Sequence, residues 1–274
     1  MREKSNAGLV IALGVIAVFV LYVGYYHFLY SGYALIDGGS ELKGVRSGSF
    51  GDAFGTLNAL FSGLAFPGVL ITLYYQRKDL EKSQAQNIRQ QAESQFYNML
   101  SLQQQVVQGF DLHRKGNSPH TIQGRDCFRD WQSKMIIRYS DLYLEFRGRP
   151  DIVRGLEAFD KVFKNNQGDL GLYFRSLYSV FKFIDGVDCA QRKHLGAVAR
   201  SLLSDYELVF IFYNCLTPKG RKFNRFANEY KLFDNLDVEL LLKKEHVVHA
   251  DKLSLGSNEA ALTIRGAVDH SGPS

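Results

Sequence analysis

Three groups of residues in this 274-residue chain have the types and spacing to do chemistry. The first is Arg114-Lys-Gly-Asn-Ser-Pro-His120. An imidazole can act as a base and a neighbouring guanidinium can steady phosphate charge, so Arg114 and His120 are the catalytic candidates for phosphodiester cleavage. They lie in a stretch broken by Gly116 and Pro119, which reads equally as a polar loop. The second group, His246 and His249 with Glu245 and Asp251 nearby, places two imidazoles near one helical face. A metal would need a third and a fourth ligand, and the surrounding charges read as ordinary surface. No metal site and no cofactor is expected.

The third group flanks the apolar run Leu208–Tyr213, which carries Asp205, Glu207 and Asn214 at its ends. Arg175 and Lys182 fall on a helix expected to face it. Buried polar groups must be paired. One reading is a structural network, with Arg175 on Asp205 or Glu207 and Asn214 capping a helix end. The sharper reading is a ligand or partner pocket framed by Arg175, Tyr178, Tyr206, Glu207 and Asn214. No glycine-rich phosphate loop, nucleophile elbow or H-E-x-x-H motif is present, which disfavours the enzyme classes that carry local motifs.

The elements that must position these groups follow from where charge is missing. No Asp, Glu, Lys or Arg occurs between Lys4 and Asp37, nor between Asp52 and Arg77. As a helix, residues 7–30 would rise about 36 Å, more than a ~30 Å hydrocarbon core. Residues 53–75 form a second uncharged run, in which Gly55, Ala59 and Gly63 recur every four residues as a small-residue packing stripe. Two N-terminal transmembrane helices are therefore expected, with residues 31–52 as an external loop. Arg77, Lys78, Lys82 and Arg89 follow the second run, and basic flanks stay inside. Both termini would then be cytoplasmic, with the lipid bilayer as a partner.

Residues 76–95 lack Gly and Pro and are rich in Gln, Lys and Glu. They read as a helical stalk, and with the second span they could support a homo-oligomer. From Phe96 an apolar face appears, with Leu100 and Val107, and residues 96–249 read as a cytosolic multi-helix domain. Helices are expected at about 125–146, 152–165, 170–185, 190–203, 204–216, 218–229 and 236–246. The stripe Tyr173, Leu177, Val180, Phe181 and Ile184 should pack on Leu208–Tyr213 as the centre of the core. No alternating strand pattern is strong, and residues 113–124 read as a loop. Residues 250–274 read as a flexible polar tail. The fold class is all-α. The net charge of +5 and the scattered basic residues do not indicate a specific nucleic-acid partner. Cys127, Cys189 and Cys215 are too far apart for a C-x-x-C site and read as buried thiols.

Several segments, in order, resemble the phage abortive infection protein family (AbiC-like). They are Phe50–Asn58, Tyr74–Lys78, Gln95–Leu100, Tyr173–Tyr178 through Asp185, Leu203–Leu208 through Cys215, and Tyr230–Asn235. The resemblance spans roughly residues 45–240. It implies a bacterial or prophage-borne, membrane-anchored protein of the inner (plasma) membrane that defends against bacteriophage. Its helical domain would sense infection, through a phage component or a neighbouring gene product, and couple it to growth arrest or membrane perturbation. The family has no settled catalytic residues, so none is carried over. The Arg114/His120 spacing is also similar to the Arg-x4-6-His of HEPN-type ribonucleases, which makes a membrane-tethered HEPN-like toxin the alternative. A scaffold or receptor subunit of a multi-protein system is the third reading.

Overall fold

The computed structural model describes residues 14, 16–27, 49–114 and 120–270, and within them it is mostly helical. The chain divides into two compact units, Met1–Gln86 and Asn87–Ser274. Residues 16–27 are helical. Helix α1 spans Ser49–Gln108. A short hairpin follows, β1 (Asp111–Arg114) and β2 (His120–Gln123). Then come α2 (Asp126–Asp141), α3 (Asp151–Asn165), α4 (Gln167–Gly186), α5 (Cys189–Ser201), α6 (Asp205–Leu216) and α7 (Arg221–Glu229). Four short 3-10 turns occupy Leu232–Leu255, and α8 (Glu259–His270) closes the described chain.

Among the described residues no helix is long and apolar enough to cross a membrane. This overturns the two expected transmembrane helices, and with them the placement as a multi-pass inner-membrane protein with cytoplasmic termini. In the second run, absence of charge is not the same as apolarity. Residues 53–75 include Thr56, Asn58, Ser62, Pro67 and Thr72, and they belong to a 60-residue helix that runs on into Arg77 and Lys78. Of the first run, residues 14 and 16–27 are described. The rest of that run, and most of the expected external loop, lie outside the described residues. Gly55, Ala59 and Gly63 are exposed, and a Cβ on Gly55 or Gly63 would meet nothing within 4 Å.

In the second unit, Phe96, Leu100, Gln103 and Val107 on α1 are buried. Their spacing of four, three and four residues keeps them on one helical face. Leu102 is exposed, and Gln103 takes the inward position. Every residue from Leu208 to Tyr213 is buried, as is the stripe Tyr173, Leu177, Val180, Phe181 and Ile184. The packing of these two helices differs from expectation. Helix α6 lies chiefly against α2, α3 and α7. The α2 ring of Phe128 stands between α4 and α6, 4.8 Å from Tyr173 and 5.7 Å from Phe210, edge-on to both. Edge-to-face ring packing of this kind is favoured by the ring quadrupoles.

Two segments depart from the sequence reading. The stretch expected as a loop holds the hairpin, in which Leu112 pairs with Ile122 and Arg114 with His120. Leu112 and Ile122 both pack on the core. The Gly124 N–H donates to the Phe110 carbonyl at 3.0 Å and closes the hairpin base. Strands of four residues are too short to show a period-2 pattern. The expected polar tail also has structure through residue 270. Leu255 and Ala261 are buried. Asp234 accepts from the Ser257 N–H and hydroxyl at 2.6 and 2.7 Å. Asn258 donates to the carbonyls of Phe233 and Leu236, both at 2.9 Å. The expected helix at 236–246 is instead a pair of 3-10 turns, Val238–Leu240 and the start of Lys244–His249.

Candidate functional site

The tight turn after α6 shapes the site. Thr217 donates its hydroxyl to the Asn214 carbonyl at 2.8 Å, and the Gly220 N–H donates to that same hydroxyl at 3.1 Å. Gly220 must be glycine for steric reasons, because a Cβ there would fall inside the Asn214 carbonyl. The turn sets Lys219 against α3, with its ammonium 5.4 Å from the centre of the Phe163 ring.

Two cavities meet at this point, sharing Phe163, Asn214 and Lys219 in their walls. One, of about 430 Å³, lies between α4 and α7 and includes Arg175, Tyr178, Lys222 and Phe223. The other, of about 330 Å³, lies along α3 and includes Val153, Leu156, Phe159, Glu157 and Asp160. Gly171 makes room for Arg175, since a Cβ on it would stand 3.2 Å from the guanidinium. Arg175, Lys219 and Lys222 are exposed.

Arg175, Tyr178 and Asn214 therefore share one cavity, whereas Tyr206 and Glu207 are placed elsewhere. Tyr206 packs half-buried on the core. Glu207 is wholly buried and completes the capping box of α6. Its carboxylate accepts from the Ser204 N–H (2.9 Å), the Ser204 hydroxyl (2.7 Å) and the Tyr173 hydroxyl (3.0 Å). Arg125 pairs with it at 3.7 Å, in place of the Arg175 expected from sequence. Burial, then the Glu207 charge, pushes the Tyr173 phenol well above its ordinary range.

A second polar cluster was missed by sequence reasoning. Asp151 opens α3 and accepts from Tyr139, from Arg154 (2.7 Å) and from His246 Nε2 (3.1 Å). A carboxylate only accepts, so Nε2 carries the proton and Nδ1 accepts from the Tyr213 hydroxyl at 2.8 Å. The Leu242 N–H in turn donates to Tyr213 at 3.0 Å. Burial holds His246 below its ordinary value, against the pull of Asp151. Burial raises the Asp151 carboxyl, but Tyr139, His246, Arg154 and Lys243 outweigh it and the net shift is down. Tyr139 is pushed up to about 12, by burial and then by its bond to Asp151. Both imidazole nitrogens are thus engaged, which suits a structural tie better than a base. The signal in the sequence was Pro150-Asp151 at a helix start, but nothing in it pointed to His246 95 residues away.

His246 and His249 do not gather a metal set. Among the described residues no group of three or more His, Cys, Asp or Glu could hold an ion. The backbone register sets Arg114 opposite His120 across the hairpin, not at a helix start where the ribonuclease-type motif lies. Cys127 and Cys215 are buried, and burial raises both thiols, Cys127 to about 11.

These features define a helical domain with a cation-bearing, aromatic-walled cavity. Residues 165–241 match the family model described as "Putative phage abortive infection protein". That match covers the C-terminal segments of the resemblance read from sequence, from α4 to the first 3-10 turns. Comparisons with curated proteins and with solved structures returned no match.

Proposed function

We propose that this chain is an anti-bacteriophage protein of the abortive-infection kind. In this reading its helical domain recognises a molecule that appears on infection, binding it in the cavity between α4 and α7, and growth arrest follows. One observation carries the reading. The family match at residues 165–241 covers Arg175, Tyr178, Asn214, Lys219 and Lys222, the polar residues that give the cavity its chemistry. Glu207 and Asp151 are engaged in packing ties, whereas Arg175 and Lys222 face the cavity with no ion pair among the described residues.

The test is phage plating efficiency and cell survival with the chain expressed alone from its own promoter, at low and high phage dose. Protection at low dose with arrest or death at high dose is the expected result. No protection against a broad phage panel would overturn the reading for the chain alone. Loss of protection in an Arg175→Glu/Lys222→Glu variant of undiminished abundance would tie the output to the cavity.

A further inference from the structure

We infer that the joined cavities bind an organic phosphate with a flat ring body, of the nucleoside monophosphate type. This rests on the reading of the cavity as the sensing site. The argument begins with charge. Arg175 and Lys222 make no ion pair among the described residues, and no carboxylate lines their cavity. Two uncompensated cations beside an open space attract an anion, and a guanidinium suits the paired oxygens of phosphate.

The walls decide the body of the ligand. Phe163 and Phe174 stack at 6.2 Å and 28°, and Tyr178 and Phe223 line the same space. Aromatic walls of this kind take a flat ring by stacking. Lys219 lies over Phe163 where the two cavities meet, within reach of a linker between ring and phosphate.

The far end separates a ring from a hydrocarbon chain. Glu157 and Asp160 line the second cavity, and Asp160 is held by Lys164. An alkyl tail laid there would gain contact with Val153, Leu156 and Phe159 but would strip water from Glu157 without returning a hydrogen bond. Ring N–H groups or sugar hydroxyls would donate to it instead. Volumes of about 330 and 430 Å³ fall in the range of small-molecule sites and are too confined for a folded partner.

The experiment is calorimetric titration of the purified full chain with AMP, GMP, adenosine, inorganic phosphate and dodecyl phosphate. AMP or GMP should bind at least about tenfold more tightly than adenosine or phosphate, since each of those fills only one end. Arg175→Glu/Lys222→Glu should weaken nucleotide binding by about tenfold or more. Glu157→Ala should weaken it by a smaller factor, with unchanged thermal midpoints for both variants. Three results would overturn the inference: no saturable binding at millimolar nucleotide, equal binding by the double variant, or tighter binding of dodecyl phosphate. Phage protection is scored separately. If protection depends on Arg175 and Lys222 while nucleotides fail to bind, the ligand class falls and the sensing site stands. If nucleotides bind but protection is indifferent to the double variant, the sensing role falls and the ligand class stands.

Discussion

Arg154 and Arg175 sit on neighbouring helices of the same domain and do opposite things. Arg154 is buried, paired to Asp151 at 2.7 Å, and lies 3.9 Å over the Tyr139 ring. Arg175 is exposed beside a cavity and makes no ion pair among the described residues. The same contrast holds for carboxylates. Glu207 takes three hydrogen bonds and an ion pair in a dry interior, whereas Glu157 lines an open space. A charged group that the fold has buried and paired is a packing tie. A charged group left unpartnered beside apolar walls remains able to bind something else.

The sharpest way to break this contrast is Glu207→Ala. It leaves the Tyr173 hydroxyl buried without an acceptor and removes half of a capping box, so a loss of about 2–4 kcal/mol is expected in urea unfolding. A loss below that of an ordinary surface change would mean that the network is not a tie. Gly220→Ala attacks the other region by driving a methyl into the Asn214 carbonyl. It should destabilise by about 2–3 kcal/mol and deform the cavity wall, read as lost ligand binding. Asp151→Asn should cost less, about 1–2 kcal/mol, because the side chain is 35% exposed and water covers part of what is lost.

The tied region has a pH dependence that follows from its shifted groups. His246 is lowered from 6.5 by burial, so the unfolded chain takes up its proton first as pH falls. Stability should hold above pH 6.5 and decline below it, levelling off once the folded imidazole also protonates. Asp151 is lowered from 3.8, so its contribution is intact above that value and is lost as pH falls through the folded value. His249 is lowered as well, so the His246→Gln/His249→Gln chain should lack the first decline in urea midpoints between pH 7.5 and 5. The smallest effect is on the open region. Arg175→Glu/Lys222→Glu should move stability by no more than about 0.5 kcal/mol, whatever it does to binding.

Much of the helical domain was legible before any coordinates. The stripe on α4 and the all-apolar face of α6 have the 3.6-residue period and the density that only a buried helix needs. Turn residues such as Pro150, Asp185-Gly186 and Pro218-Lys219-Gly220 lie close to real helix boundaries. The two expected membrane helices do not stand, since no helix among the described residues is long and apolar enough to cross a membrane; in the second run, Thr56, Asn58, Ser62 and Thr72 supply polarity without charge. Strands of four residues and 3-10 turns leave too short a pattern to see. The tail was misread because its ties, Asp234 to Ser257 and Asn258 to Phe233, join residues far apart in sequence.

Of the residues lining the candidate cavity, Arg175, Tyr178 and Asn214 could be named from sequence because they lie on the two most apolar helices of the domain. Lys219 and Lys222 could not, since nothing local separates them from other surface lysines. The sequence by itself determined most of the helices between Asp126 and Glu229 and which of their faces are apolar, because periodicity is a local property. Tertiary structure alone decided that Arg125 rather than Arg175 pairs with Glu207, and that His246 reaches Asp151. Those pairings depend on which helices pack side by side. That choice left Arg175 unpaired beside the cavity.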